Sequence, residues 1–380
     1  MARLLWLNWS GGGNLPPSLG IARVLTERGH EVVFAGRPEM VGRVEAAGFR
    51  AIELSEAYAQ LPRYPKDAPQ VRALCYLTAP AVEGQVAAVL RSERPELVLI
   101  DQMFLAALHA ARDVDVPAVL MCHTLYRRHF EVYRSFLERA NGLRVAAGFE
   151  PLPPPAQLWA EQDLVVTTSL ATFDVSALPI PHDDRIRHVG PALEIERHAT
   201  PADLPWRTGD SRPLVVVSFS TAPEQGSVAK FQRTLDALAP LDVRAVVTVG
   251  RSIDPASLEV PGNAAVFDAA DHEALMGEAS AVITHGGHGT LMRALKHGLP
   301  MLVMPGMAAD QSPNGAMIEE LGAGVILSQE ADRAAIRAAA ERLLGDDALR
   351  VRARALSRHL RGVAGEQGGA DEIERLLVGR

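Results

Sequence analysis

One segment of the C-terminal half combines two histidines with several glycines in a spacing that suits phosphate binding: AVITHGGHGTLMRALKHGLPMLVMP. It predicts a buried strand over Ala281–Thr284, a Gly-rich loop that begins at His285, and a helix that ends at Gly298. Such a loop directs several backbone N–H groups at one point, with the helix dipole behind them. The imidazole adds a directed donor, so we expect an anion site here. The glycines that let the backbone approach the anion closely are Gly286, Gly287 and Gly289.

A second polar loop follows the next predicted strand, and it favours a ligand site over an ordinary turn. Asp310, Gln311 and Asn314 come shortly after a strand that ends at Met304. The carboxyl ends of parallel strands meet at one edge of a sheet, so the two loops should lie together. Without this second loop, the glycines could simply relieve tight packing in a βα turn.

In the N-terminal half, three polar side chains follow predicted strands. Asn14 lies in the Gly-rich loop after the first strand, Asp101 ends the strand Leu97–Ile100, and His123 follows the strand Ala118–Cys122. Because parallel strands present their carboxyl ends at one edge of a sheet, Asp101 and His123 should lie at the same edge.

The order of strand, loop and helix repeats through the chain, which predicts parallel sheets covered by helices on both faces. We expect an α/β protein with two Rossmann-like, doubly wound domains that face each other across a cleft. The first would span residues 1–200 and the second residues 213–364, joined by the polar, Pro-containing stretch Ala192–Pro213. Doubly wound sheets bind ligands beyond the carboxyl ends of their strands, so the chemistry is expected in the cleft.

Composition and charge exclude several classes of protein. The 380 residues exceed the size at which one core usually stops growing, which supports two domains. The net charge of −8 argues against nucleic-acid binding, since phosphate backbones select basic faces. Cys75 and Cys122 fit neither a disulfide framework nor a zinc site. The apolar start Leu4–Trp9 is too short for a signal peptide or a membrane span, so we expect a cytoplasmic protein.

Three stretches of the chain resemble GT-B glycosyltransferases, specifically the superfamily of natural-product and UDP-sugar transferases. Thr284–Gly324 resembles their donor-binding motif, His188–Pro191 the segment before their interdomain linker, and Ser10–Val32 their first acceptor-domain βα unit. The resemblance implies an acceptor bound mainly by the first domain and a nucleotide sugar, dTDP- or UDP-linked, bound mainly by the second. It also implies inverting transfer without a metal or other cofactor, and a last helix, residues 365–380, that packs back on the first domain.

The resemblance implies roles for the residues that would surround the phosphates. His285 would contact the phosphate next to the nucleoside, and Thr290 with the amide of Gly289 would hold the diphosphate. Ser220 and Thr221 match a serine-bearing loop that closes over the same phosphates; helix or turn capping by their short hydroxyls is the alternative.

Further positions correspond to the sugar and nucleoside contacts of the family. Asp310 and Gln311 match the acid–amide pair that binds the sugar hydroxyls, and Asp310 is also suited to cap the following helix. Arg293 replaces a glutamate that grips the ribose hydroxyls, which favours a dTDP-sugar because deoxythymidine lacks the 2′-hydroxyl; a plain helix-surface role is the alternative. Ala269 stands where an aromatic residue usually stacks on the base, and His272 is the neighbour we expect to replace it.

Most relatives carry a general-base histidine in the first loop, where this chain has Asn14. Asn14 can orient the acceptor but cannot be the base. Asp101 matches the acid that elsewhere pairs with that histidine, and our hypothesis is that Asp101 is the base, directly or through a water. His123 is the other candidate, although a strand-end histidine bonded to backbone is at least as common.

Acceptor binding is expected from aromatic and aliphatic side chains of the first half, among them Tyr76 and Tyr126. Gly12 and Gly13 would make room for the acceptor close to the catalytic centre. The segments that would build the pocket are those around Tyr58–Tyr76 and His123–Trp159.

The sequence therefore predicts an inverting, metal-independent glycosyltransferase that moves a sugar from a nucleoside diphosphate to a small, partly apolar acceptor, with a homodimer possible. Asp113-Val114-Asp115 spells the DxD metal motif of the other glycosyltransferase fold, but its place after a helix favours a solvated turn. A nucleotide-sugar epimerase of the same fold and a transferase acting on a lipid-linked sugar remain alternatives. Asn14 also keeps open a non-catalytic partner that binds a nucleotide sugar.

Overall fold

The computed structural model of the chain separates into two compact units. The first unit comprises Met1–Glu194 and Val363–Arg380, and the second comprises Ile195–Gly362. The residues that the structure describes are 1–9, 12–65, 71–114, 116–176, 178–181, 183–193, 206, 209–219, 227–250 and 252–379.

A seven-stranded parallel sheet forms the centre of the first unit. Its strands are β1 (Arg3–Asn8), β2 (Glu31–Gly36), β3 (Arg50–Glu53), β4 (Leu97–Asp101), β5 (Ala118–Cys122), β6 (Leu164–Thr167) and β7 (Ile186–His188). They stand in the order β3-β2-β1-β4-β5-β6-β7. The order reverses between β1 and β4, which makes the gap between these strands the topological switch point where doubly wound sheets bind ligands.

Helices connect the strands of this sheet. They are α1 (Leu15–Glu27), α2 (Pro38–Ala46), α3 (Val71–Thr78), α4 (Pro80–Glu93), α5 (Leu105–Ala111), α6 (Tyr126–Ala146) and α7 (Pro155–Ala160). Proline stands in the first turn of α1 and α4, where its missing N–H has no intrahelical partner to lose.

A six-stranded parallel sheet forms the centre of the second unit. Its strands are β8 (Leu214–Ser218), β9 (Arg244–Thr248), β10 (Ala264–Phe267), β11 (Ala281–Thr284), β12 (Met301–Val303) and β13 (Gly324–Ile326). The order is β10-β9-β8-β11-β12-β13, so the switch point lies between β8 and β11. The helices of this unit are α8 (Val228–Leu238), α9 (His272–Glu278), α10 (His288–His297), α11 (Gln311–Glu320), α12 (Arg333–Gly345) and α13 (Asp347–Leu360).

The last helix, α14 (Gly365–Val378), belongs to the first unit and packs on α1. Arg28 at the end of α1 forms ion pairs with Asp371 and Glu374, each at 2.7 Å. Gly369 allows the two helices to approach closely, because a Cβ there would lie 2.7 Å from Cδ1 of Ile21. The C-terminal segment is therefore an integral part of the first unit.

The sheets form where the sequence has short runs of apolar, often β-branched residues. All five residues of β4 and of β8 are buried, as expected for central strands of a parallel sheet with helices on both faces. The predicted α/β fold class with two doubly wound, Rossmann-like domains is confirmed. The predicted strand ends agree with the observed ones to within about one residue.

Some elements were not anticipated from the sequence. The strands β3, β6 and β7 were missed, and β7 carries a weak signal because it is only three residues long and two of these are polar. The stretch Arg127–Pro155 mixes charged and aromatic residues with the run PLPPP, which predicts helices and loops, and most of it is the single 21-residue helix α6.

No single helix among the described residues is both long and apolar enough to cross a membrane. One pair of consecutive helices, α3 and α4, meets the criteria of length and composition together, with a bend of 46° between them.

Candidate functional site

Two polar side chains end the strands on either side of the first switch point. Asn8 is the last residue of β1 and Asp101 the last residue of β4, and both are buried. Asn8 Nδ2 donates to Ser18 Oγ at 3.2 Å, and Asp101 Oδ1 accepts a hydrogen bond from the Met103 amide at 2.9 Å. The first of the predicted catalytic residues therefore lies where the topology places ligands.

Asn14 joins these two strand ends. Its Nδ2 donates to Asn8 Oδ1 at 2.6 Å and to Asp101 Oδ2 at 2.9 Å. Asn14 precedes α1, and its carbonyl accepts from Ser18 Oγ at 2.9 Å. The side-chain amide thus holds the Asp101 carboxylate in one orientation.

His123, one residue past β5, completes this group. Its Nε2 lies 3.2 Å from Asp101 Oδ2 and 3.5 Å from Ser18 Oγ. The side chain is 7% exposed, and its Nδ1 is buried with no hydrogen-bond partner among the described residues. The structure therefore brings Asn14, Asp101 and His123 together, as their strand-end positions predict.

This arrangement has the form of an acid–imidazole pair. An Nε2–H directed at Asp101 leaves the lone pair of the neutral ring on Nδ1, where it can accept a proton. Asp101 has little spare capacity for that task, because the Met103 amide, Asn14 and His123 already surround its two oxygens. The imidazole of His123 is thus a candidate for the proton acceptor beside Asp101.

The residues predicted to contact the acceptor differ in their exposure. Gly12 and Gly13 are exposed, and a Cβ at Gly13 would meet no atom within 4 Å, so there is open space at this loop. Tyr76 and Tyr126 are buried in the core of the first unit, and the Tyr76 hydroxyl has no hydrogen-bond partner in the described part of the chain. Their part in acceptor binding stays a prediction.

A guanidinium lies among aromatic rings close to the end of β2. Arg37 is 5.9 Å from the ring centroid of Trp9 and 5.7 Å from that of Tyr76, and its Nε donates to the Tyr58 hydroxyl at 3.1 Å. Glu39 pairs with the same guanidinium at 3.1 Å. This group was not anticipated from the sequence, since it joins residues that are far apart in the chain.

A cavity of about 530 Å³ lies in the first unit beside a buried ion pair. The pair joins Asp174 Oδ2 to His188 Nε2 at 2.8 Å. Of the lining residues, only Arg127 falls in a segment predicted to form the acceptor pocket. The described residues that line the cavity are Arg127, Asp174, Val175, Ser176, Leu178, Pro179, Ile180 and Asp183.

At the second switch point, the Gly-rich loop begins with His285, directly after β11. Gly287 leaves room for the imidazole, because a Cβ at this position would lie 2.6 Å from His285 Nε2. Gly286 has a φ of +93°, and a side chain there would also meet the Gln311 carbonyl oxygen at 2.8 Å. The glycines therefore fix the path of the loop around the histidine.

The imidazole of His285 is neutral at pH 7. Burial, and then the positive charge of Lys230, lower the pKa of His285 from 6.5 to about 4, with the backbone of Ser218 acting weakly in the opposite direction. Its Nδ1 is buried and has no hydrogen-bond partner within the described ranges. A neutral ring can donate one hydrogen bond to an anion but brings no charge to it.

The helix α10 begins immediately after this loop, with Gly287 as its N-cap. The first turn of a helix leaves its N–H groups without intrahelical partners, which here includes those of Gly289 and Thr290. Gly289 is exposed, and a Cβ there would meet no atom within 4 Å, so space opens beside these amides. The predicted anion site is thus a ten-residue helix N-terminus next to an imidazole.

The two predicted sugar-binding residues are in different environments. Burial raises the pKa of Asp310 from 3.8 to about 6, and its side chain makes no capping hydrogen bond to α11. Gln311 is 2% exposed, and its Oε1 accepts from the Gly306 amide at 2.6 Å. Asn314 Nδ2 donates to the Gly286 carbonyl at 2.8 Å, which ties this loop to the Gly-rich loop.

The residues expected near the nucleoside lie at the start of α9 and on α10. Arg293 Nε is 3.4 Å from Glu273 Oε2, and the Arg293 side chain is 16% exposed, so it is not a plain surface residue. His272 Nε2 lies 3.0 Å from the Thr248 hydroxyl, and Ala269 is exposed. A carboxylate therefore stands next to Arg293, although the sequence has an arginine where relatives carry a glutamate.

Three positions singled out in the sequence, Ser220, Thr221 and Asp115, lie outside the described residues, and their roles stay predictions. Within the described ranges, no group of three or more His, Cys, Asp or Glu side chains is arranged to hold a metal ion.

Sequence reasoning missed three polar side chains of these two sheet edges. Asn8 ends an apolar strand, and Ser18 follows Asn14 by one helical turn, a spacing that places both on one face of α1. Lys230 lies on α8 among Phe231, Leu235 and other apolar residues and looks like an ordinary solvated lysine. In the structure it is 6% exposed, which no sequence pattern indicated.

Comparisons with known proteins agree with this architecture. Residues 232–363 match the family described as "Erythromycin biosynthesis protein CIII-like, C-terminal domain". NDP-glycosyltransferase YjiC of Bacillus licheniformis is 25% identical over 392 residues, which cover 96% of this chain and 95% of the relative. Oleandomycin glycosyltransferase of Streptomyces antibioticus is 26% identical over 415 residues, which cover 100% of this chain and 92% of the relative.

Solved structures of glycosyltransferases superpose on the whole chain. CalG4, the calicheamicin glycosyltransferase, has a TM-score of 0.77 and 25% identity, with 100% of this chain and 99% of that protein covered. The kitacinnamycin glycotransferase has a TM-score of 0.78 and 24% identity, with 98% of each chain covered. Two parallel sheets, the His285 loop and these relatives lead to one conclusion: the chain is a glycosyltransferase with the GT-B fold, of the natural-product and nucleotide-sugar type.

Proposed function

We propose that the protein transfers a sugar from a nucleoside diphosphate to a hydroxyl of a small natural product, with inversion at the anomeric carbon and without a bound metal. The observation that carries this proposal is the Asp101–His123 pair, whose imidazole keeps a buried, unpartnered Nδ1. A single displacement needs a base for the acceptor hydroxyl, and this pair supplies one.

In this proposal His123 is the general base, whereas the hypothesis from the sequence alone was Asp101. Asp101 orients the ring and fixes its tautomer, and it stabilises the imidazolium that forms. Asn14 in turn holds the carboxylate at 2.9 Å. The histidine that relatives place in the first loop is thus replaced by a histidine from the end of β5, while the acid keeps its place at the end of β4.

The bond changes balance without a further reactant. The acceptor O–H proton goes to His123 Nδ1, and the oxygen forms a bond to the anomeric carbon as the bond to the diphosphate oxygen breaks. The electron pair stays on the diphosphate, so donors aimed at it lower the barrier. The first-turn amides of α10, with Gly289 and Thr290, and the neutral imidazole of His285 are the donors proposed for this task.

The sugar and the nucleoside would be recognised by charged side chains of the same loops. Asp310, with its raised pKa, would accept hydrogen bonds from sugar hydroxyls as a carboxylate above about pH 6. Arg293 Nε pairs with Glu273 Oε2, so this carboxylate oxygen is not available to a ribose hydroxyl. This favours deoxythymidine over uridine, and the structural neighbours VinC and SpnG were solved with thymidine diphosphate.

The acceptor class is suggested by the relatives. Demethyllactenocin mycarosyltransferase of Streptomyces fradiae and oleandomycin glycosyltransferase are named for antibiotics, and SpnG was solved with a spinosyn aglycone. A small and partly apolar aglycone would suit the aromatic side chains around Arg37, where Trp9 and Tyr58 are grouped.

The test is a transfer assay with the purified chain alone. It is incubated with dTDP- and UDP-sugars and a panel of aglycones in the presence of EDTA, and the anomeric configuration of the product is read by NMR. Transfer with inverted configuration is expected. Sugar exchange without any glycosylated product would favour an epimerase, and nucleotide-sugar binding without turnover would favour a non-catalytic partner.

A further inference from the structure

A lysine ammonium is buried at the carboxyl edge of the second sheet, and the reaction described above does not use it. Lys230 lies in the first turn of α8, where the Ser227 side chain caps the helix through the Lys230 amide. The residue is 6% exposed. Burying an ammonium is costly unless a partner compensates for the lost hydration, so the partners of this group matter.

The described partners of the ammonium are a carbonyl and an aromatic ring. Lys230 Nζ donates to the Met304 carbonyl at 2.6 Å and lies 4.2 Å from the ring centroid of Phe219. An ammonium has three N–H donors, and one of them is used here. No carboxylate of the described residues lies within 4 Å of Nζ, so its positive charge has no counter-charge in ion-pair contact.

Hydrogen bonds connect this ammonium to the anion site. The Met304 amide donates to the Thr284 carbonyl at 2.8 Å, and Thr284 directly precedes His285. The charge of Lys230 also acts on the imidazole of His285, which stays neutral at pH 7. At this sheet edge the full positive charge therefore comes from Lys230 and not from the histidine.

Other charged groups of the surrounding elements are few. Arg233 on the same helix lowers the pKa of Lys230 and Glu330 raises it, but burial is the main cause of the fall to about 8. From α12, which packs on α8, Arg333 pairs with Asp236 at 3.3 Å and is occupied there. His285 faces the ammonium from the Gly-rich loop.

We propose that the ammonium of Lys230 binds the diphosphate of the nucleotide sugar and supplies the positive charge that stabilises the leaving group. This inference rests on the proposed function. The helix N-terminus of α10 and the His285 ring give hydrogen bonds to the phosphates, and Lys230 gives the charge that these neutral donors lack. A buried ammonium with a single hydrogen bond to the described residues is compensated when the anion binds.

The alternative is a purely structural lysine that fastens α8 to the end of β12. In that case the substitution Lys230→Met would change stability but leave binding of phosphate-bearing ligands unchanged. The test therefore compares the dissociation constants of dTDP, UDP and the two free nucleosides, measured by calorimetry on the wild type and the variants. Lys296→Met serves as the matched control, since Lys296 is 44% exposed at the other end of α10.

Lys230→Met is expected to weaken dTDP and UDP binding about 10- to 100-fold, the usual range for a lost charge-assisted hydrogen bond, with nucleoside binding unchanged. Lys230→Arg should retain part of the affinity, and Lys296→Met should bind as the wild type does. Diphosphate binding within twofold of the wild type in folded Lys230→Met overturns the inference. If the wild type itself binds no nucleoside diphosphate, the proposed function fails instead.

A spectroscopic readout on the wild-type chain covers the case in which Lys230→Met does not fold. The sequence has three lysines, Lys66, Lys230 and Lys296, so Cε-labelled lysine gives few signals. The signal removed by Lys230→Arg should titrate near pH 8 in the free protein and at higher pH with dTDP bound, because an anion favours the charged form. An unchanged titration of this signal in the dTDP-saturated protein overturns the inference.

Discussion

At the switch point of the first sheet, Asn14 and His123 both contact Asp101, and the Nδ1 of His123 has no hydrogen-bond partner among the described residues. At the switch point of the second sheet, Lys230 is buried and its charge acts on the partly exposed His285, and among the described residues no carboxylate is in ion-pair contact with the ammonium. Both groups lie at the carboxyl edge of a parallel sheet, at its switch point. The first group contains a carboxylate next to an imidazole, whereas the second contains a positive charge without a carboxylate in contact among the described residues.

The difference indicates two kinds of preorganisation. The first site already contains its acid and its imidazole in contact, so it is prepared to move a proton. The second site has, among the described residues, an ammonium without a carboxylate in contact and first-turn N–H groups without intrahelical partners, which suits a bound anion. Substitutions should therefore affect turnover at the first edge and donor affinity at the second.

The largest expected effect is at the first edge. His123→Asn removes the base and should lower kcat about 10²- to 10⁴-fold, with dTDP affinity unchanged, because the residue does not touch the donor. Steady-state kinetics and calorimetry on the same preparation check this. A variant that retains more than a tenth of wild-type turnover would show that the imidazole is not the base.

A compensating substitution sharpens this result. Asn14 Nδ2 lies 2.9 Å from Asp101 Oδ2, so an imidazole at position 14 can reach the same carboxylate. Adding Asn14→His to His123→Asn should therefore recover about tenfold or more of the lost turnover. The double variant Asn14→Gln with His123→Asn is the control and should recover nothing. Equal turnover of the two double variants would argue against an Asp101-based pair.

At the second edge, His285→Ala should weaken binding of dTDP or UDP about 10-fold, since it removes one neutral hydrogen bond to a phosphate and leaves the helix N-terminus in place. The ligand-free protein should also lose less stability between pH 6.5 and 4. The pKa of His285 is lower in the folded protein than in the unfolded chain, so acid protonates the unfolded chain first and favours unfolding between pH 6.5 and 4. The variant lacks this histidine and therefore lacks this loss of stability. Calorimetry and thermal unfolding across pH measure both effects. A steep acid dependence identical to the wild type would contradict the buried neutral ring.

Asp310→Asn should raise the stability of the protein and weaken its interaction with the nucleotide sugar. The pKa of Asp310 is raised to about 6, so its ionisation opposes folding as the pH rises from about 4 through 6. The variant should be more stable than the wild type by up to about 3 kcal/mol at pH 7.5 and about equally stable at pH 4, as measured by thermal unfolding. The same variant should raise KM for the nucleotide sugar several-fold without changing dTDP affinity. A stability gain that is equal at both pH values would rule out ionisation of Asp310 as its source.

The smallest effect concerns nucleotide preference. Arg293→Gln releases Oε2 of Glu273, which can then accept a hydrogen bond from the ribose 2′-hydroxyl, while Oε1 keeps its contact with His297 Nε2 at 2.9 Å. UDP affinity should rise about two- to fivefold relative to dTDP, in paired calorimetric titrations. Adding Glu273→Gln should remove that gain. An unchanged ratio would leave Arg293 without a part in nucleoside choice.

Much of the fold was predictable because short apolar runs alternate with helical segments. The runs of β4, β5, β8 and β11 are buried on both faces, so their composition alone marks them as strands. β7 was missed because three residues with two polar side chains carry no such signal. Its place in the sheet depends on pairing with β6, which is a property of the folded chain.

The sites were predictable in position and less so in their contacts. Residues that follow strands, such as Asp101 and His285, were found because parallel strands present their carboxyl ends at one edge. That Gln311 is buried against the Gly306 amide depends on how a loop closes, which short-range sequence does not encode. The burial of Lys230 depends in the same way on the packing of α8 against the sheet.

By itself, the sequence determined the fold class, the two sheet edges and the candidate residues Asn14, Asp101, His123 and His285, because hydrophobic pattern and loop chemistry are local properties of the chain. Only the tertiary structure decided that Asp101 is engaged by Asn14 and His123, and that Lys230 is a buried cation close to the predicted anion site. Hydrogen-bond partners and burial join residues as far apart as Lys230 and Met304, and only the folded chain brings such residues within bonding distance.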